Sequence, residues 1–204
     1  MIRQVLQLLL LTFGGIKGKE YQEDESPSIN FVAIGDWGAS LQNKIDRKGQ
    51  SEVAKGMASY LEQVSHHNPF ILSLGDNYYP AGVKDSQDMA HRFEESLNKV
   101  YHQNVYQDID WYVIAGNHDY GYDHEGGFVQ EADMTFQMTF HSDSRWNFPY
   151  FYYKVERTLG NMKVQILMID TVQLMGRSRP NCGNAFSKND LNSLASQLAA
   201  ANSS

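Results

Sequence analysis

Three short polar motifs carry the side chains best suited to chemistry: Gly35-Asp36-Trp37-Gly38, Gly75-Asp76-Asn77-Tyr78-Tyr79 and Gly116-Asn117-His118-Asp119. Asp36, Asp76, Tyr79, Asn117, His118 and Asp119 would line one crevice if the three motifs met. Carboxylates drawn together repel and raise one another's pKa unless a cation neutralises them. Oxygen donors from Asp, Asn and Tyr suit a hard ion such as Mg, Mn or iron and not a thiolate-seeking one. Tyr79 narrows the choice, because a free phenol has a pKa of about 10. As a phenolate ligand it needs a strongly Lewis-acidic ion, for which ferric iron is the natural candidate. Taken singly, a Gly-Asp pair after a strand is an ordinary turn or helix cap, and a lone Tyr is an ordinary core or rim aromatic. Three such motifs at matched spacing point instead to a shared cation site.

The elements between the motifs explain how they would meet. Ile29 to Ile34, Phe70 to Leu74 and Trp111 to Ala115 are short, largely apolar, strand-like runs, each ending at the Gly of one motif. Between them, Ser51 to His67 and Asp85 to Tyr101 show apolar residues at helical spacing. Roughly 40 residues separate successive motifs, enough for one crossover helix each. This alternation predicts parallel βαβ units, with all three motifs on the carboxyl edge where open α/β sheets bind ligands. The Gly before each polar residue is expected to let the backbone turn sharply off the strand. Further along, Tyr150 to Val155 and Val164 to Ile169 flank Leu159-Gly160-Asn161, as in a hairpin, and Ser187 with Asp190 opens a helical pattern. Residues 128 to 140 fit a strand and a helix equally well.

The 204 residues carry a net charge of −7, which disfavours sequence-independent nucleic-acid binding. Hydrophobic residues make up 42% and charged residues 20%, a globular balance. Arg3, then the apolar run Val5 to Phe13, then Gly14-Gly15, reads as a secretory signal peptide over residues 1–18, too short to span a membrane. Residues 19–28 read as a linker, and 29–204 as the folded part, in a secreted or lysosomal protein with no stable membrane anchor. Cys182 is the single cysteine, so the count gives neither an internal disulfide nor a thiolate metal site.

The three motifs, with Leu72-Ser73-Leu74 and Trp111 to Ala115 before two of them and Arg145-Trp146-Asn147-Phe148-Pro149 beyond, resemble the tartrate-resistant purple acid phosphatases. These form the low-molecular-weight branch of the metallophosphoesterases. The resemblance implies an α/β fold of metallophosphoesterase-type βαβ layers, here the N-terminal portion of a four-layer sandwich. It implies a binuclear metal centre in which Asp36 and Tyr79 bind Fe(III), Asp76 bridges, and Asn117 binds a divalent Fe, Zn or Mn. His118 would protonate the leaving alkoxide, with Asp119 supporting it. The implied reaction is hydrolysis of phosphate monoesters by a metal-activated hydroxide at acid pH. Substrates would be small phosphate monoesters or phosphoproteins, met by a monomer.

The family completes its site with histidines in Gly-His and Gly-His-x-His motifs, and none of the seven histidines here has that context. The chain is therefore expected to bind the metal pair weakly, to show little activity alone, and to leave one flank of its sheet as an uncovered edge. By the same resemblance Cys182 would pair with a cysteine further on. The alternative readings are a catalytically inactive secreted binding or decoy fragment, and a phosphodiesterase or nucleotidase of the same superfamily.

Overall fold

The computed structural model describes residues 28–122, 127, 129, 131–175, 192 and 196. The expected signal peptide, nearly all of the linker, Cys182 and most of the helical pattern after Ser187 lie outside the described residues; Asn192 and Ser196 are helical. A parallel sheet forms in the order β1 (Phe31–Ile34), β2 (Phe70–Ser73), β3 (Trp111–Val113) and β4 (Trp146–Asn147). The first three are the expected strands, with Phe31 opposite Phe70 and Ile71 opposite Trp111. β4 has only two residues, too few for any periodicity, and is held by its register of Trp146 on Trp111. Among the described residues β1 pairs on one side only.

Helix α1 runs from Lys44 to Gln63, seven residues earlier than its apolar spacing predicts. Its first two turns are mostly polar and their apolar side chain, Ile45, is exposed, so hydrophobicity does not mark them. Asn43 does, accepting from the N–H groups of Ile45 and Asp46 as an N-cap. Ala54, Met57, Ala58 and Leu61 form the buried stripe of α1. α2 (Ser86–Phe93) ends earlier than expected, passing into a wider turn over Glu94–Asn98. Among the described residues of the segment that fits both patterns, the regular element is α3 (Thr135–Met138), a single helical turn.

The alternation along the strands divides two layers of core. Ile71, Trp111 and Val113 face the α1 and α2 side, where Trp37 lies among Tyr78, Tyr101, Trp111 and Trp146 at ring distances of 5.2 to 6.4 Å. Phe70 and Leu72 face the antiparallel hairpin of β5 (Tyr152–Leu159) and β6 (Met162–Ile169), meeting Val155 and Met168. α4 (Thr171–Leu174) follows β6, capped by Asp170. The described residues thus make helix, parallel-sheet and hairpin-sheet layers.

One buried carboxylate ties the loops together at the carboxyl edge. Asp119, fully buried, accepts from the N–H groups of Asn77, Tyr78 and Gly116 at 2.9 to 3.2 Å and from Gln137 Nε2 at 2.8 Å. The turns off the strands differ from expectation. The left-handed residues are Asp36 (φ 56°), Gly75 (φ 103°) and Asp76 (φ 52°), so two aspartates themselves make the bend. Asp is among the few side chains that tolerate this region. Gly116 serves closeness instead: a Cβ there would lie 2.3 Å from Asp76 Oδ1 and 2.5 Å from Asp76 N.

Two substitutions test this clamp. Asp119→Asn turns an amide N–H₂ toward N–H donors and is expected to cost about 1–3 kcal/mol, read as a fall in Tm of roughly 2–4 °C per kcal/mol. Gly116→Ala is expected to cost more than about 3 kcal/mol in urea unfolding, because the new methyl would meet the Asp76 backbone nitrogen and a carboxylate already held by the Tyr79 hydroxyl and the His118 N–H.

Candidate metal centre

Two strand ends deliver three oxygens to one point, and the third brings His118 beside them. Tyr79 Oη lies 2.6 Å from Asp36 Oδ1 and 3.0 Å from Asp76 Oδ2, so one phenol proton is shared between two carboxylates. Asp36 comes from the β1 turn, and Asp76 and Tyr79 from the β2 turn. His118, from the β3 turn, donates its backbone N–H to Asp76 Oδ1 at 2.9 Å and lays its ring 4.4 Å from that of Tyr79. Asp36 is exposed, Tyr79 half-buried, and Asp76 buried.

The electrostatics follow from this crowding. Burial raises the Asp76 carboxyl above its usual range against the pull of the His118 N–H and the Tyr79 hydroxyl. Burial, then the hydrogen bond to Asp36 and the charges of both carboxylates, push the Tyr79 phenol far up. Both shifts come first from burial, and the close approach of the oxygens adds to the Tyr79 shift. A hard cation seated between them would take over the bridging role of the phenol proton and relieve both carboxylates, so the donor set fits such an ion. Among the described residues no group of three or more His, Cys, Asp or Glu side chains gathers to hold a metal, here or elsewhere; the third donor at this point is the Tyr79 phenol.

His118 and Asp119 behave differently from each other. The His118 ring is buried and its Nδ1 lies 2.6 Å from the Pro80 carbonyl oxygen. A carbonyl only accepts, so Nδ1 carries the proton in this tautomer. Asp119, expected to support His118, spends its carboxylate on Asn77, Tyr78, Gly116 and Gln137. Burial and the Asp76 charge push its carboxyl up to about 7, against the pull of those donors. Asp119 meets the β3 turn through the Gly116 N–H.

Asn117 is exposed and makes no hydrogen bond to Asp36, Asp76 or Tyr79 among the described residues. Chain position alone puts it at the rim, between Gly116 and His118. His66, His67, His91, His102 and His141 are all exposed, as their sequence contexts suggest. Sequence reasoning missed the hub beneath the site. Asn77 Oδ1 accepts from Ser73 Oγ (2.6 Å) and Trp37 Nε1 (3.2 Å), and its Nδ2 donates to the Ile114 carbonyl (2.9 Å) and Gln137 Oε1 (3.1 Å). The position of Asn77 beside Asp76 was a signal. Gln137 lies in the segment of mixed pattern and gave none. A cavity of about 1010 Å³ beside β1 and α1, walled by Ile34, Trp37, Val53 and Tyr101, gives access to Asp36 and Tyr79.

Comparison with known proteins agrees with this geometry. The profile of the calcineurin-like phosphoesterase family matches residues 29–193. Tartrate-resistant acid phosphatase type 5 of Mus musculus is 37% identical over 180 residues, 86% of this chain and 48% of that protein. The Homo sapiens protein of the same name is 34% identical over 177 residues, 85% of this chain and 48% of that one. Purple acid phosphatase 4 of Arabidopsis thaliana is 38% identical over 120 residues, 58% of this chain and 30% of that protein. The chain spans about half the length of the curated relatives of type 5 that it matches. By a family match over most of its length and a parallel sheet that gathers Asp36, Asp76 and Tyr79, the chain belongs to the calcineurin-like metallophosphoesterases.

Proposed function

We propose that this chain carries the cation-binding and proton-donating part of an acid phosphatase centre that hydrolyses phosphate monoesters. The observation that carries the reading is the convergence of Asp36, Asp76 and Tyr79 oxygens beside the His118 ring. In this reading Asp36, Tyr79 and Asp76 would hold Fe(III), and Asp76 with Asn117 would hold a divalent Fe, Zn or Mn. When bound, the ion pair supplies neutralisation of the phosphoryl charge and activation of the attacking water.

The protein's own groups do the rest. Tyr79 and the two aspartates set where the phosphoryl group sits. His118, with Nδ1 anchored on the Pro80 carbonyl, delivers a proton to the leaving oxygen from Nε2. Asp119 keeps the β3 turn in place through Gly116. The apolar run Val5 to Phe13 supports a secreted or lysosomal setting. No helix among the described residues is long and apolar enough to cross a membrane. The substrates proposed are small phosphate monoesters or phosphoproteins, and the acting form is a monomer.

Calorimetric titration of inorganic phosphate into the chain supplied with Fe(III) and Mn(II) tests this. Saturable binding that needs the metals, is displaced by an aryl phosphate monoester, and weakens at least tenfold in Asp76→Asn, about 1.4 kcal/mol, is expected. Equal binding without metal, unchanged affinity in Asp76→Asn, or displacement by a diester as readily as by the monoester would overturn it.

A further inference from the structure

We propose that Arg92 is a positioning residue for the cation-binding oxygens, holding the Tyr79 backbone from the buried side so that the phenol stands between Asp36 and Asp76. The proposal rests on the reading of that site given above. Arg92 lies on the buried face of α2, beside Met89 and Phe93, and is only 7% exposed. Its Nη2 donates to the Tyr79 carbonyl oxygen, and its guanidinium lies 5.6 Å from the centre of the Tyr78 ring. Among the described residues its Nε has no hydrogen-bond partner. A guanidinium taken out of water at that cost is poorly explained as packing.

The geometry of residue 79 gives the arginine its role. The Tyr79 N–H donates to the Gly38 carbonyl at 2.8 Å, while its own carbonyl is held by Arg92. With both ends of the residue fixed, the direction of its Cα–Cβ bond is fixed too, and the phenol oxygen falls 2.6 Å from Asp36. The next residue, Pro80, has no N–H to help, and its carbonyl is the partner of His118 Nδ1. The Arg92 contact therefore steadies the peptide that presents both the phenol and the acceptor for the histidine.

Charge and position make opposite demands here, which separates them experimentally. A buried positive charge behind a cation site weakens cation binding by repulsion, so removing the charge alone would tighten it. Losing the grip on the Tyr79 carbonyl would loosen the phenol and weaken it. Terbium(III), a hard oxygen-seeking ion whose luminescence is excited through a nearby tyrosine ring, reads both affinity and ring proximity. In the full chain, the sensitised signal is expected to saturate and to vanish in Tyr79→Phe. Arg92→Met should lower terbium affinity at least fivefold and dim the saturated signal, and Arg92→Lys, which returns a donor without the planar fork, should lose at least twofold. Either arginine variant, folded by circular dichroism and binding terbium as well as or better than wild type, overturns the proposal. A signal unchanged in Tyr79→Phe overturns instead the site reading beneath it, since the ion then sits elsewhere.

Discussion

Like charges resist being gathered, and the carboxyl edge of this sheet gathers them. Asp36 and Asp76 approach the same phenol oxygen within hydrogen-bonding distance, and Asp119 lies fully buried just behind. Such crowding stands only where the surrounding chain over-determines it. Here Asp119 collects N–H groups from the β2 and β3 turns, so that a third carboxyl group becomes the fastening that keeps the other two in place. Two aspartates in left-handed backbone are part of the same strain, bending the chain at the residue that must point inward.

Beneath the charges, the support is graded from polar to apolar. Asn77 joins Ser73, Trp37, Gln137 and the Ile114 carbonyl, satisfying buried groups that β2 and β3 would otherwise leave open. Below it the Trp37, Trp111, Trp146, Tyr78 and Tyr101 rings fill the space between sheet and helices. A fully buried side chain of this size contributes roughly 1.5–3 kcal/mol. Trp37 belongs to both tiers, with its ring in the aromatic cluster and its Nε1 on Ser73 and Asn77, so the site and the core share one residue. A family relationship of about one-third identity is compatible with this division, because the polar turns and the core under them are a small part of the chain.

Much of this was legible in the residues. Apolar runs ending in Gly-Asp or Gly-Asn placed β1, β2 and β3 and their turns, and the spacing between them required crossovers that the helices supply. The hairpin was legible from Gly160-Asn161. What stayed hidden depends on contacts distant in sequence. The first turns of α1 offer a single apolar side chain, the exposed Ile45, β4 is two residues long, and Gln137 becomes a partner of Asp119 only once the chain has folded. The hydrogen bonds of Asp119 were hidden for the same reason, since its donors come from the β2 turn and from Gln137 as well as from its own turn.

The central claim is that Asp36, Asp76 and Tyr79 are held together in order to share a cation. Anomalous diffraction from crystals of the chain grown with ferric ion addresses it most directly. The account predicts a strong peak in contact with the Tyr79 phenolate oxygen and with one oxygen each of Asp36 and Asp76. Iron seated elsewhere on the chain, with the Tyr79 hydroxyl still hydrogen-bonded between the two carboxylates, would contradict it.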